Sequence, residues 1–141
     1  MLLLDDHLLR DVLASDVRGP LKRLMARHPL ATTNLYYLRL CKSAVSARGG
    51  QLTGAWAPER RRALAEVLVA LPDAIDVVPM RTLAFAVAKL GDEFRLSTLG
   101  AEAVAASCHL GATLCVWEGD DGPSIRAAAL AAKVPYRTVA R

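Results

Sequence analysis

Between Val17 and Pro58 the chain contains no aspartate and no glutamate. The same stretch carries Arg18, Lys22, Arg23, Arg27, Arg39, Lys42 and Arg48, and Arg60, Arg61 and Arg62 follow shortly after. A segment that gathers cations without acids to answer them points to an acidic partner, nucleic acid or an acidic peptide; the plainer alternative is a solvated basic face. The triplet Arg60–Arg62 by itself reads as solvated. Other absences narrow the class. No apolar run approaches the roughly 20 residues of a membrane span, so no membrane role is expected. No basic region precedes the short apolar run at the N-terminus, so no signal peptide is expected either. Cys41, Cys108 and Cys115 are odd in number and lack metal-finger spacing; they read as buried free thiols in a reducing cytoplasm. His7, His28 and His109 are scattered, which argues against a zinc site. No glycine-rich phosphate loop and no Ser-His-Asp or Cys-His arrangement is found.

What is present suits one soluble domain spanning residues 1–141: 53% hydrophobic residues, enough for a good core, and 23% charged. Leu2–Leu4 reads as a short strand, and Leu8, Leu9, Val12 and Leu13 recur at helical spacing after it. Pro20 opens a helix through Arg27, and His28-Pro29 stops it. Residues 30–33 form a second strand, and Asn34 starts a helix that Gly49-Gly50 ends. Residues 51–57 read as a loop anchored by Trp56. A helix begins at Pro58-Glu59 and ends at Pro72-Asp73, and residues 74–78 form the third strand. A helix over 81–90 is broken by Gly91, and Ser97 or Thr98 caps another that ends at Gly111. Residues 112–117 form the fourth strand. A helix over 125–133 and a short strand over 134–139 close the chain. Strands separated by helices of ten or more residues imply an α/β fold, a mainly parallel sheet between two layers of helices.

Two strands end in acid. MLLL runs into Asp5 and Asp6, and ATLCVW runs into Glu118, Gly119, Asp120 and Asp121. In a parallel sheet, ligands sit beyond the carboxyl ends of the strands, where the strand order reverses. Asp5, Asp6 and Glu118 are therefore candidates to flank one crevice that holds a divalent cation. The competing role for Asp5 or Asp6 is to cap the first helix, and Asp120 or Asp121 is expected to cap the helix after Pro123. Tyr36 and Tyr37 could stack on bases, but adjacent tyrosines on a helix more often divide between core and surface.

The stretch LSTLGAEAVAASCHLGATLCVWE, residues 96–118, resembles the PIN-domain family, small α/β domains related to ribonucleases and common as the toxin of bacterial toxin–antitoxin pairs. The family pattern has Leu-Ser, an Asp-Ala pair opening a helix with small residues on one face, then Gly-Ala and an apolar strand ending in an acid. Ala101, Ala105 and Ser107 fall on small-residue positions, Gly111-Ala112 matches, and Glu118 takes the strand-end acid. The closing KVPYRTV is similar to the family's last strand. The resemblance extends over essentially the whole chain. It implies a three-layer sandwich and a divalent-metal centre that activates water against a phosphodiester. Asp5 matches the first acid, and Asp6 stands where Thr or Ser is usual. The second acid should lie near Arg39, inside the acid-free segment, and the third position is Gly100. Glu102, about 200° around the helix from Gly100, points away from such a site. The resemblance thus implies a PIN-like protein with a degenerate centre. Asp5 and Glu118 are its catalytic remnants, and Arg39 is able to pair with the acids directly. No cofactor is expected; the alternative the resemblance implies is a ribonuclease dependent on Mg²⁺ or Mn²⁺, with Asp5, Asp6, Glu118 and the displaced Asp120 as its metal ligands. Binding of RNA or an acidic, antitoxin-like protein is assigned to Arg23, Arg27, Arg39 and Arg48. A homodimer, or a scaffold that only oligomerises, is also compatible with the family.

Overall fold

Short runs of leucine, valine and threonine build the sheet. In the computed structural model, which describes residues 1–140, they are β1 (Leu2–Leu4), β2 (Leu30–Thr32), β3 (Ile75–Val77), β4 (Thr113–Trp117) and β5 (Tyr136–Val139). All pairings are parallel and the order is β3-β2-β1-β4-β5. The chain moves outward from β1 to β3 and then returns to lay β4 on the other side of β1. The strand order therefore reverses between β1 and β4.

A parallel sheet must be covered on both faces, which is why the central strands β1 and β4 are almost continuously apolar, while the edge strands β3 and β5 carry Asp76 and Arg137. Leu3 and its partner Leu114 point into one core. Leu2, Leu4 and Cys115 point into the other. The second core is covered by α1 (Asp6–Leu13), α2 (Gly19–Met25), α3 (Asn34–Val45), α4 (Gly50–Thr53) and α5 (Pro58–Leu68), through Leu8, Leu21, Leu40, Leu52 and Leu64. The first is covered by α6 (Met80–Phe94), α7 (Thr98–Leu110) and α8 (Pro123–Ala131), through Leu83, Val87, Val104 and Ala128. The expected three-layer α/β sandwich is observed. Among the described residues no helix is long and apolar enough to cross a membrane.

Three local expectations need correction. The segment expected as a loop before Pro58 contains the one-turn helix α4, held by Thr53, whose hydroxyl donates to Ser43 O at 3.0 Å. The helix expected to break at Gly91 runs on to Phe94 and ends where Arg95 turns left-handed, φ 51°. A glycine inside a helix costs only about 1 kcal/mol against alanine, and the packing of α6 against α7 outweighs it. The Arg60–Arg62 run is not simply solvated. Arg60 lies 3.8 Å over the Trp56 ring and pairs with Asp16, and Arg61 donates to the carbonyls of Ser46 and Ala47 at 2.9 and 2.6 Å.

Candidate functional site

The crevice begins where β1 gives way to Asp5 and Asp6, beside the end of β4. Asp5 is fully buried and both of its oxygens are engaged. One accepts from Leu8 N at 2.8 Å, making Asp5 the N-cap of α1; the other accepts from Trp117 N at 2.6 Å. Asp5 thus clasps the first helix to the last residue of β4. Burial raises its pKa from 3.8 to about 7, because the two N–H groups only partly offset the loss of water, and Asp6 and Asp120 nearby push the same way.

Asp6, the first residue of α1, is also fully buried. Its Oδ2 lies 2.9 Å from a guanidinium nitrogen of Arg39, which reaches across from α3 and is 39% exposed. The contact has ion-pair distance but not hydrogen-bond geometry, so neither oxygen of Asp6 has a hydrogen-bond partner. Burial raises the Asp6 pKa and Arg39 opposes that rise. His7 follows, buried, with Nδ1 unpartnered and its ring 4.5 Å from the Trp117 ring. Burial, together with the positive charges of Arg10 and Arg39, lowers its pKa.

A short 3-10 turn, Glu118–Asp120, follows β4. It leaves Glu118 exposed and carries Asp120 back to α1, so that one ligand atom each of Asp6, His7 and Asp120 lie within 4.8 Å of one another. The expected helix cap after Pro123 is not made. Gly122 occupies the N-cap position of α8, without a side-chain cap. Asp121, one residue earlier, instead pairs with Arg126 and accepts from the Tyr136 hydroxyl at 2.7 Å. These contacts lower its pKa, the Tyr136 bond most.

Of the acids read as metal ligands, then, Asp6 and Asp120 come together, Asp5 is committed to backbone N–H groups, and Glu118 stands outside the cluster. His7 joins them. The signal available in the sequence was its place next to Asp6 in the first turn of α1. Beyond the acids opens a hollow of about 410 Å³ lined by Tyr36, Arg39, Arg95, Ser97, Asp120 and Ser124, among others. The N-termini of α7 and α8 face this same end of the molecule. Ser97 caps α7 through Gly100 N at 3.2 Å. Gly100 lines the hollow too.

Glu102 turns away from it. Wholly buried, it accepts from Asn34 N at 2.9 Å, Asn34 Nδ2 at 2.7 Å and Leu35 N at 2.9 Å, and so closes the N-terminus of α3. A single carboxylate within the run of small residues AEAVAAS was its sequence signature. Neither tyrosine is free to stack: Tyr36 is core, and the Tyr37 hydroxyl donates to Leu68 O at 2.6 Å. Of the basic candidates, Arg39 enters the crevice, Arg23 and Arg27 share a separate hollow, and Arg48 is exposed near α4.

The raised pKa of Asp5 has a measurable consequence. Its folded pKa lies above the unfolded one, so the stability it contributes is fully present below pH 3.8 and is lost as pH rises through about 7. Asp6 acts in the same sense and His7 in the opposite one. Asp5→Asn turns one oxygen into a donor facing Trp117 N, a cost independent of pH, and abolishes the titration. The expected result is that the melting-temperature gap between wild type and variant narrows by the equivalent of a few kcal/mol from pH 4 to pH 8. Parallel pH profiles would contradict the assignment.

No protein-family model matches the chain, and no curated protein matches it with significance.

Proposed function

We propose that this protein binds RNA in the crevice at the carboxyl ends of its strands and does not cleave it efficiently. The observation that carries the reading is the Arg39–Asp6 ion pair: a guanidinium occupies the place where a divalent cation would neutralise the acid. Arg39 and Arg95, the hydroxyls of Ser97 and Ser124, and the positive ends of α7 and α8 give the hollow groups suited to phosphate oxygens. The resemblance to PIN domains supports the same ligand class, and an acidic antitoxin-like protein is the competing partner for the same surface. The expected result is that a single-stranded RNA binds with an affinity that falls steeply with salt, through counterion release. Arg95→Glu weakens binding about tenfold or more. Binding indifferent to salt and to Arg95 would point to a protein partner.

A second reading is favoured by one observation. Asp6 Oδ1 and His7 Nδ1 are buried without a hydrogen-bond partner beside Asp120, and two carboxylates with one imidazole suit Mn²⁺ better than Mg²⁺. Here these three side chains would hold the ion, and the ion would supply activation of water toward a phosphodiester. Arg39 opposes that by competing for Asp6. Incubation with structured and unstructured RNAs in Mg²⁺ and in Mn²⁺ separates the two. No cleavage is expected. Cleavage by the wild type that Asp6→Asn/Asp120→Asn lacks would establish the metal-dependent nuclease instead.

A further inference from the structure

A second basic hollow lies at the opposite end of the sheet. It has a volume of about 530 Å³ and is lined by Arg23, Arg27, His28 and Arg137, with Pro20, Leu24 and Ala26 as its apolar wall. Arg23 extends from α2, and Arg27 and His28 from the turn that leads into the amino end of β2. Arg137 is the second residue of β5, an edge strand, and pairs in register with Cys115, which places it on the face that α2 covers. The hollow therefore unites two segments more than a hundred residues apart in sequence, and only the fold brings their charges together.

Those charges are unanswered. Arg10, Arg18, Arg39, Arg60 and Arg126 each pair with an aspartate. Among the described residues Arg23, Arg27 and Arg137 have no such ion pair, all three are exposed, and no acid lines the hollow. Like charges held around one concavity repel one another, and an anion seated among them relieves that repulsion. Guanidinium groups also match phosphate with paired N–H donors, which an ammonium does not. The apolar wall offers a surface for the uncharged sugar between two phosphates.

We propose that this hollow between α2 and β5 is a second binding surface for the sugar-phosphate backbone of RNA, separate from the crevice. It shares with the proposed function only the nature of the ligand. An RNA long enough to reach both ends of the sheet would engage the crevice and the hollow together.

The test is fluorescence anisotropy of a labelled single-stranded RNA, titrated with the full chain across roughly 50–200 mM salt. The variant is Arg23→Glu/Arg137→Glu. The control is Arg62→Glu/Arg81→Glu, which changes net charge equally at exposed positions elsewhere. The hollow variant is expected to lose at least tenfold in affinity and to reduce the salt slope by about two, one for each phosphate contact removed. The control is expected to retain the wild-type slope. If the charge reversals impair folding, as a melting curve would reveal, Arg23→Gln/Arg137→Gln reads the same slope. Equal losses in variant and control, no RNA binding by the wild type, or displacement of RNA by polyglutamate of equal charge at equal concentration would each overturn the proposal. Failure of the crevice reading is distinguishable: Arg95→Glu would then leave RNA affinity intact while the hollow variant still lowers it.

Discussion

Arg39→Met is expected to destabilise the protein by about 3 kcal/mol at pH 8, and most of that loss is expected to return on acidification. Removing one member of a buried ion pair leaves the other charge uncompensated, which typically costs about 3–5 kcal/mol. The low end applies because Arg39 is 39% exposed and solvent screens part of its pull. No well-formed hydrogen bond to Asp6 takes over; the nearby backbone N–H groups of His7 and Asp6 offset its burial only weakly. Its pKa is already raised by burial, and without Arg39 it rises further. The sign follows: stability is lost as pH increases through that raised pKa and is regained below it, once Asp6 is neutral. Thermal melts at pH 5 and pH 8 provide the comparison. Arg39→Met/Asp6→Asn is expected to recover most of the loss at pH 8, since no buried charge remains to be stranded. A small, pH-independent effect of Arg39→Met would mean that Asp6 is neutral in the wild type as well. Restoration of the single variant by Mn²⁺ would identify the acidic centre as a cation site.

Glu102→Ala is expected to be at least as damaging, about 4 kcal/mol, through a different mechanism. Three N–H groups converge on this carboxylate. Hydrogen bonds to a charged group contribute about 1.5–3 kcal/mol each, and they are not fully additive. Truncation also strands the first donors of α3 in a water-poor interior and leaves a cavity beneath them. In a domain of this size the loss corresponds to a fall of roughly 15 °C in melting temperature. Glu102→Gln is expected to fall between, because its amide nitrogen would face a backbone N–H. Denaturant melts measure both, and near-wild-type stability of the alanine variant would rule out the capping role. RNA binding in the crevice should decline along with stability, because α3 also carries Arg39.

The order of elements was legible in the sequence. Apolar runs of three to five residues alternated with amphipathic stretches, and proline and glycine marked most boundaries, because each local rule depends on near neighbours. That sufficed for a parallel sheet between two helical layers and for a crevice at the acid-ended strands. It failed where tertiary packing overrode a local rule, as at Gly91 within α6 and in the turn at Gly50–Thr53.

The fate of each carboxylate was a different matter. Asp5, Asp6, Glu102, Glu118 and Asp121 are chemically alike, and sequence spacing alone does not show which will be buried or which donors will meet it. The fold assigns Asp5 to two backbone N–H groups, Asp6 to Arg39, Glu102 to the start of α3, Asp121 to Tyr136 and Glu118 to solvent. It also brings Arg137 to within one hollow of Arg23 and Arg27. Electrostatic partnership depends on distances of a few ångströms between segments far apart in sequence, and on whether water is present to screen them. The sequence determined that acids and arginines would occupy the ends of a parallel sheet; only the tertiary structure decided which of them meet.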